Sequence, residues 1–304
     1  WIRRWLGIAL SLVGFLIARY LAAFQLGYIA HAWDPFFGGS SEKVLHSVVS
    51  RSFPISDAGF GAMAYILEMI SGFLGDRARW RTAPWMVVLF AILVLPLGVT
   101  SITLVITQPT IVHHWCGLCL IAAVGLLTSV PLAVHEIIAM GQFLLEAKRE
   151  GKNFWRVFFM GGTVSGGGQP DPDRRGYSLA QRWVASVQGV TIPWTVAVQL
   201  VIGIWLMARP DVMRIGTVWS GDADQFIGAL IVTIAMIATA EVTRQVRFLN
   251  IICAVLLLIA ALAFSRAAPL VLASEIICAI VLAVVSIPKG RMLERYGAWD
   301  KYIW

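Results

Sequence analysis

Eight long apolar runs divide the chain, at residues 5–27, 59–74, 85–107, 115–145, 192–208, 225–241, 248–264 and 269–288. A helix crossing a bilayer needs about 20 predominantly apolar residues, because its backbone bonds itself and only its side chains meet lipid. The runs are continuous rather than alternating, which argues against a membrane β-barrel. Composition agrees: of 304 residues, 59% are hydrophobic and 13% charged, against about 25% charged in an average soluble domain. A soluble enzyme, a disordered tail and a disulfide-rich secreted domain are excluded. The expected fold is an all-α integral membrane protein of about eight transmembrane helices, with the lipid bilayer as its first partner.

The net charge is +7, with 24 Lys and Arg. With the N-terminus placed inside, 18 of these fall on the cytoplasmic side. Lys43, Arg51, Arg209, Arg214 and Arg266 fall outside, and Arg19 lies within the first run. Basic loops stay in the cytoplasm during insertion, so this asymmetry predicts cytoplasmic N- and C-termini and an even span number. The basicity therefore reads as orientation, and no nucleic-acid partner is expected. A bacterial inner membrane, cytoplasmic or intracytoplasmic, is the expected location. Arg3 and Arg4 before an apolar run, with Ala30-His31-Ala32 after it, imitate a secretory signal. The run is too long for a signal h-region and is expected to be a retained helix. The sequence does not begin with Met, so its numbering is not expected to start at the native start.

The chain is expected to divide into a four-helix membrane unit at 1–150, a cytoplasmic Gly/Pro-rich connector at 151–188, and a second four-helix membrane unit at 189–304. Within the connector, residues 154–159 (FWRVFF) read as an interfacial anchor and residues 178–187 as a short amphipathic helix.

Residues 115–120 (WCGLCL) open the fourth run at its extracytoplasmic end. Cys116 and Cys119, three apart, share one helix face. A thiol in the first helical turn feels the positive end of the macrodipole, which favours thiolate. His113 and His114 stand just before it and can add positive charge. The extracytoplasmic side is oxidising, so a disulfide persists there. No His follows Cys119 and no second Cys pair stands in the adjacent loops, so neither haem attachment nor a metal site is indicated. The pair reads as a redox or structural disulfide, or as two inert helix thiols.

The N-terminal half resembles the vitamin K epoxide reductase family of membrane thiol oxidoreductases. The resemblance rests on the four-helix half, the WCGLCL motif, and residues 54–61 (PISDAGFG) leading into the second helix. It implies that Cys116 and Cys119 form the catalytic pair beside a quinone, and that Ser56 matches the loop serine before the second helix. The family also carries a shuttle cysteine pair in the first outer loop. Here that loop, residues 31–58, has no Cys; it offers Ser40, Ser41, Ser47, Ser50 and Ser52 instead. Without a shuttle, a partner must reach Cys116 directly. The C-terminal half is similar, more weakly, to the Ser-Pro-Trp repeat membrane family through Ile192-Pro193-Trp194 and residues 203–210 (GIWLMARP).

Charges inside spans are functional candidates by default. Arg19 and Glu68 sit at matching depth, about 12 and 13 Å from the outer helix ends at about 1.5 Å per residue. They are expected to pair, as a register lock or as the lining of a quinone head-group pocket. Gln199 and Glu275 read as unpaired, and Glu241 as solvated at the cytoplasmic interface. Cys253 and Cys278 read as small packing residues.

Two functions follow as expectations. One is a quinone-linked thiol/disulfide oxidoreductase using Cys116 and Cys119, with Ser56, Glu68, Arg19, His113 and His114 near the quinone. The other is a non-catalytic accessory subunit of a larger photosynthetic or respiratory membrane complex. Other membrane subunits or extracytoplasmic thiol proteins are the protein partners these readings imply.

Overall fold

The structure, a computed structural model, describes all residues except 1, 53–54, 76–77, 164–188, 214–217, 267, 291 and 293–304. The expected connector helix at 178–187 lies outside the described residues.

The apolar runs fold as helices. α1 (Ile2–Gln25), α4 (Asp57–Phe73), α6 (Pro84–Thr107) and α7 (Gly117–Arg149) form the first group. The loop from α1 to α4 carries two short helices, α2 (Ser40–Leu45) and α3 (Val48–Arg51); α5 (Arg79–Thr82) precedes α6. A π-helical turn, Gln108–Val112, extends α6, and α8 (Phe154–Met160) follows α7. The second group is α9 (Trp194–Met213), α10 (Val218–Ala238), α11 (Leu249–Phe264) and α12 (Pro269–Ser286), with a 3₁₀ turn at Glu241–Phe248.

Seven helices among the described residues are long and apolar enough to cross a membrane. The remaining apolar run, expected at 59–74, folds as the 17-residue α4. It packs along α1 and against α6, and so shares the bundle of longer neighbours.

Close approach replaces the hydrophobic effect as the organising force between helices in lipid, and small residues permit it. At the α9–α10 crossing, a Cβ on Gly228 would lie 2.7 Å from the Gly203 carbonyl oxygen, and one on Gly203 would lie 2.8 Å from that of Gly228. The two backbones touch. The second group then closes around Leu206, Ile231, Leu257 and Leu282, with Cys253 buried among them and Cys278 packed at the margin. Both cysteines are free, as expected of packing residues.

Polar side chains inside this second group correct four expectations. Arg209, assigned to an outer loop, is 2% exposed; it ion-pairs with Asp224 and bonds Glu275 at 2.9 Å. Glu275, expected unpaired, also accepts from Ser220 at 3.1 Å and Ser265 at 2.9 Å. Gln199, likewise expected unpaired, accepts from Asn250 at 2.8 Å. Glu241, expected in interfacial water, is fully buried. The physical reason is common to all: in hydrocarbon a polar group is costly unless protein surrounds and bonds it, so these side chains turn inward from lipid.

At the opposite end of the first group, Glu136 holds two arginines. Arg79 donates to its two oxygens at 2.6 and 2.8 Å, and Arg4 donates at 3.1 Å. The two groups of helices meet along α10, which contacts α6, α7 and the π turn.

Candidate functional site

Cys116 and Cys119 form a disulfide at the N-terminus of α7. Cys116 is the N-cap residue in extended conformation, and its Sγ accepts the Cys119 amide at 3.2 Å. Two side chains from elsewhere hold the entry to this helix. Gln108, delivered by the π turn, accepts the Cys116 amide at 3.0 Å through Oε1. Asp34, from the outer loop, accepts the Gly117 amide at 2.7 Å through Oδ2. Both are buried. Side chains thus accept the Cys116, Gly117 and Cys119 amides, two of them among those a helix start leaves unbonded.

Asp34 is the hub of the outer loop. Its carboxylate also accepts the amides of Phe36 at 2.8 Å and Phe37 at 3.1 Å, and the Ser41 hydroxyl at the start of α2. Burial pushes the carboxyl up, but the Ser41 hydroxyl and the three amides outweigh it and hold the group below its ordinary 3.8. Gly117 makes the approach possible: a Cβ there would lie 2.6 Å from Asp34 Oδ1 and 2.9 Å from the Phe36 ring.

This strap presses α2 onto the disulfide. Leu45, Leu21, Phe24, Ala32 and Leu118 form a core with Cys116, and Val44, Ala58 and Cys119 pack against it. Cys116 has no exposed surface, whereas Cys119 is half-buried. The expectation that a partner reaches Cys116 directly is thus corrected: the accessible side of the pair is Cys119, because Leu45 and its neighbours cover the other sulfur.

Beside the disulfide lies an apolar cleft of about 380 Å³, lined by Phe36, Phe37, Gly117, Leu120, Ile121 and Val124. The α7 residues fall at one-face helical spacing, and the loop aromatics close one wall. Gly117 belongs both to the cleft and to the turn that carries the disulfide.

The other residues singled out from sequence are placed elsewhere. Ser56 caps α4, accepting the Gly59 amide at 2.9 Å and donating to Gln25 Oε1 at 2.5 Å. Gln25 in turn donates to Ser50 at 2.6 Å and to Asp57, tying the loop to the α1 and α4 ends. The Arg19–Glu68 pair does not form. Arg19 is exposed on α1, while Glu68 is buried with the Ser129 hydroxyl at 3.4 Å. Matching depth did not bring them together because their side chains leave the two helices on different faces. His113 is exposed at the end of the π turn with φ of 57°, and the His114 amide bonds the Gln108 carbonyl at 3.2 Å. Neither is hydrogen-bonded to a cysteine among the described residues, and none of these five residues lines the cleft. Asp34, Gln108 and the cleft residues escaped the sequence reading; the one signal for them was an acidic residue followed by two aromatics in a loop that otherwise offered serines.

Among the described residues, no group of three or more His, Cys, Asp or Glu is placed to hold a metal ion. No curated protein and no solved structure matches the chain. Residues 5–134, the stretch that contains most of α1, the outer loop, α4, α6 and the disulfide turn, match the family model of the vitamin K epoxide reductase family.

Proposed function

We propose that the protein is a membrane thiol–disulfide oxidoreductase that exchanges electrons between the Cys116–Cys119 pair and a lipid-soluble quinone. The observation that carries the reading is the apolar cleft beside the disulfide turn, with Gly117 shared between them. Its volume falls in the range of about 300–1,000 Å³ usual for ligand pockets. Its lining has no charged side chain, which suits an aromatic ring or an isoprenoid tail.

Oxidation of the two thiols to the disulfide releases two electrons and two protons, and a quinone accepts the same number of each to become a quinol. The protein's part is to hold the pair in one turn of α7, to leave Cys119 as the accessible sulfur, and to keep water from Cys116 under Leu45. Gln108 and Asp34 fix the turn between the two states.

In this reading the disulfide faces the extracytoplasmic side of a bacterial inner membrane, α4 completes eight crossings, and both termini are cytoplasmic. Extracytoplasmic thiol proteins are the reductants. The units at 1–150 and 189–304 are joined by the connector at 151–188, and the second is a Ser-Pro-Trp-repeat-like scaffold.

A second reading has the disulfide static, in an accessory subunit of a larger photosynthetic or respiratory complex. The complete burial of Cys116 beneath α2 favours it. Membranes poised with an oxidised or a reduced quinone pool, followed by alkylation of free thiols, separate the two. The oxidoreductase reading expects the thiol state of Cys116 and Cys119 to follow the pool. A pair that stays oxidised in both leaves the scaffold.

A further inference from the structure

We infer that Asp34 is a positioning residue that sets the acidity of the Cys116–Cys119 thiols, and through it the reduction potential of the pair, by occupying the Gly117 amide at the start of α7.

The open amides of a helix N-terminus stabilise a thiolate placed there, which lowers the thiol pKa and makes the corresponding disulfide a stronger oxidant. At this helix start three amides already have acceptors. The Cys116 amide goes to Gln108, the Gly117 amide to Asp34 at 2.7 Å, and only the Cys119 amide, at 3.2 Å, points to sulfur. The Asp34 acceptor is an anion, buried, and locked by Ser41 and by the amides of Phe36 and Phe37. It neutralises the positive helix end and opposes a second negative charge on the adjacent sulfur. Gly117 admits it, since any Cβ there would strike Asp34.

The titratable groups toward this end of the packed elements include Arg19 and Tyr20 on α1, Glu42, Lys43 and His46 at α2, Arg51 on α3, Asp57 at the start of α4, His113 and His114 before α7, Asp211 on α9 and Asp222 on α10. Among the described residues, Asp34 is the one that bonds an amide of this turn.

Reduction of the disulfide takes up two electrons and two protons when both thiols stay protonated, and two electrons and one proton when one ionises. Asp34 disfavours the second outcome. Its removal therefore stabilises the reduced pair only where a thiol ionises. The biological use of this effect rests on the thiol-redox reading above. The potential itself is measured without quinone, so failed exchange with the pool and failed tuning by Asp34 are separate results.

The test equilibrates the full-length protein in detergent with dithiothreitol redox buffers at pH 6 and pH 8.5, for the wild type, Asp34→Asn and Ser41→Ala. Asp34→Asn is expected to favour the reduced pair by about tenfold at pH 8.5, which is 29.6 mV for a two-electron couple, and to leave it unchanged at pH 6. Ser41→Ala loosens the same strap but keeps the charge, and is expected to stay within about threefold of wild type, a shift of roughly half that voltage. The reduced wild type is expected to react with iodoacetamide along a pH profile centred at or above the ordinary cysteine value of about 8.5. An Asp34→Asn shift that is absent, or equal at both pH values, overturns the inference. So does an equal shift in Ser41→Ala, or a wild-type profile centred below pH 7.

Discussion

The indole N–H of Trp115 donates to Asp211 at 2.7 Å, across 96 residues, and so fastens the residue before Cys116 to the end of α9. The disulfide turn is thereby held from two sides: Asp34 from the outer loop of its own bundle and Asp211 from the second group of helices. Trp115→Phe removes the donor and keeps the ring. It is expected to cost about 0.5–1.5 kcal/mol, read as a lower thermal unfolding midpoint in detergent. Asp211→Asn retains an acceptor oxygen and is expected to stay near wild type.

Gly117→Ala places a methyl group where Asp34 Oδ1 and the Phe36 ring stand, at 2.6 and 2.9 Å. The loop must move because the methyl sits on a helix backbone that cannot yield. The expected outcome is exposure of Cys116: after reduction, its alkylation rate rises by about tenfold or more over wild type, corresponding to about 1.4 kcal/mol of lost protection. Mass spectrometry of the labelled peptide reads it.

Arg209 holds Asp224 and Glu275 together where α9, α10 and α12 meet. Arg209→Leu leaves two buried carboxyl groups without their cation. Breaking a buried ionic cluster from one side costs about 3–5 kcal/mol, so the variant is expected to unfold at a markedly lower temperature. The disulfide, in the other bundle, should still form. Quantitative thiol labelling after denaturation checks that separation.

The outer strap carries its own pH dependence. Asp34 is held below its ordinary 3.8 by its hydrogen bonds, so its charged form stabilises the folded strap. That contribution is fully present above the unfolded value and disappears as the pH falls through the lower folded value. Protection of Cys116 from alkylation, assayed by short acid pulses followed by neutral labelling of the reduced protein, is expected to be constant from pH 7 to pH 5. It should fall below pH 3.8. In Asp34→Asn the acid step should vanish.

The bundle was largely legible in the sequence because a lipid-facing helix is a one-dimensional signal: apolar length alone marks it. The Cys116–Cys119 turn was legible for the same reason, its two residues lying three apart across the start of one helix. What remained hidden was contact across the chain. Asp34 stands 83 residues before the amide it accepts, and the two aromatics that follow it do not say which distant backbone its carboxylate meets; Asp57, at the start of α4, bonds Gln25 instead. Arg209 lies near a helix end and so counts as an interfacial cation in any tally of loops; its partners come from two other helices. Arg19 and Glu68 agreed in depth, but depth fixes only the position along a helix axis, and the rotation of each helix decided the matter. The π turn at Gln108–Val112, which brings Gln108 back to Cys116, depends on how α6 ends against α7 and has no periodic signature.

If the Cys116–Cys119 pair hands electrons to a quinone, the transfer is stoichiometric. The reduced, full-length protein, freed of reductant and placed in lipid nanodiscs, is mixed with a water-insoluble benzoquinone and followed by ultraviolet absorbance. One quinone is expected to become quinol per disulfide formed, with no conversion in Cys119→Ser and slowed conversion when Val124→Trp fills the apolar cleft. A reduced wild-type pair that leaves the quinone spectrum unchanged is no quinone reductant.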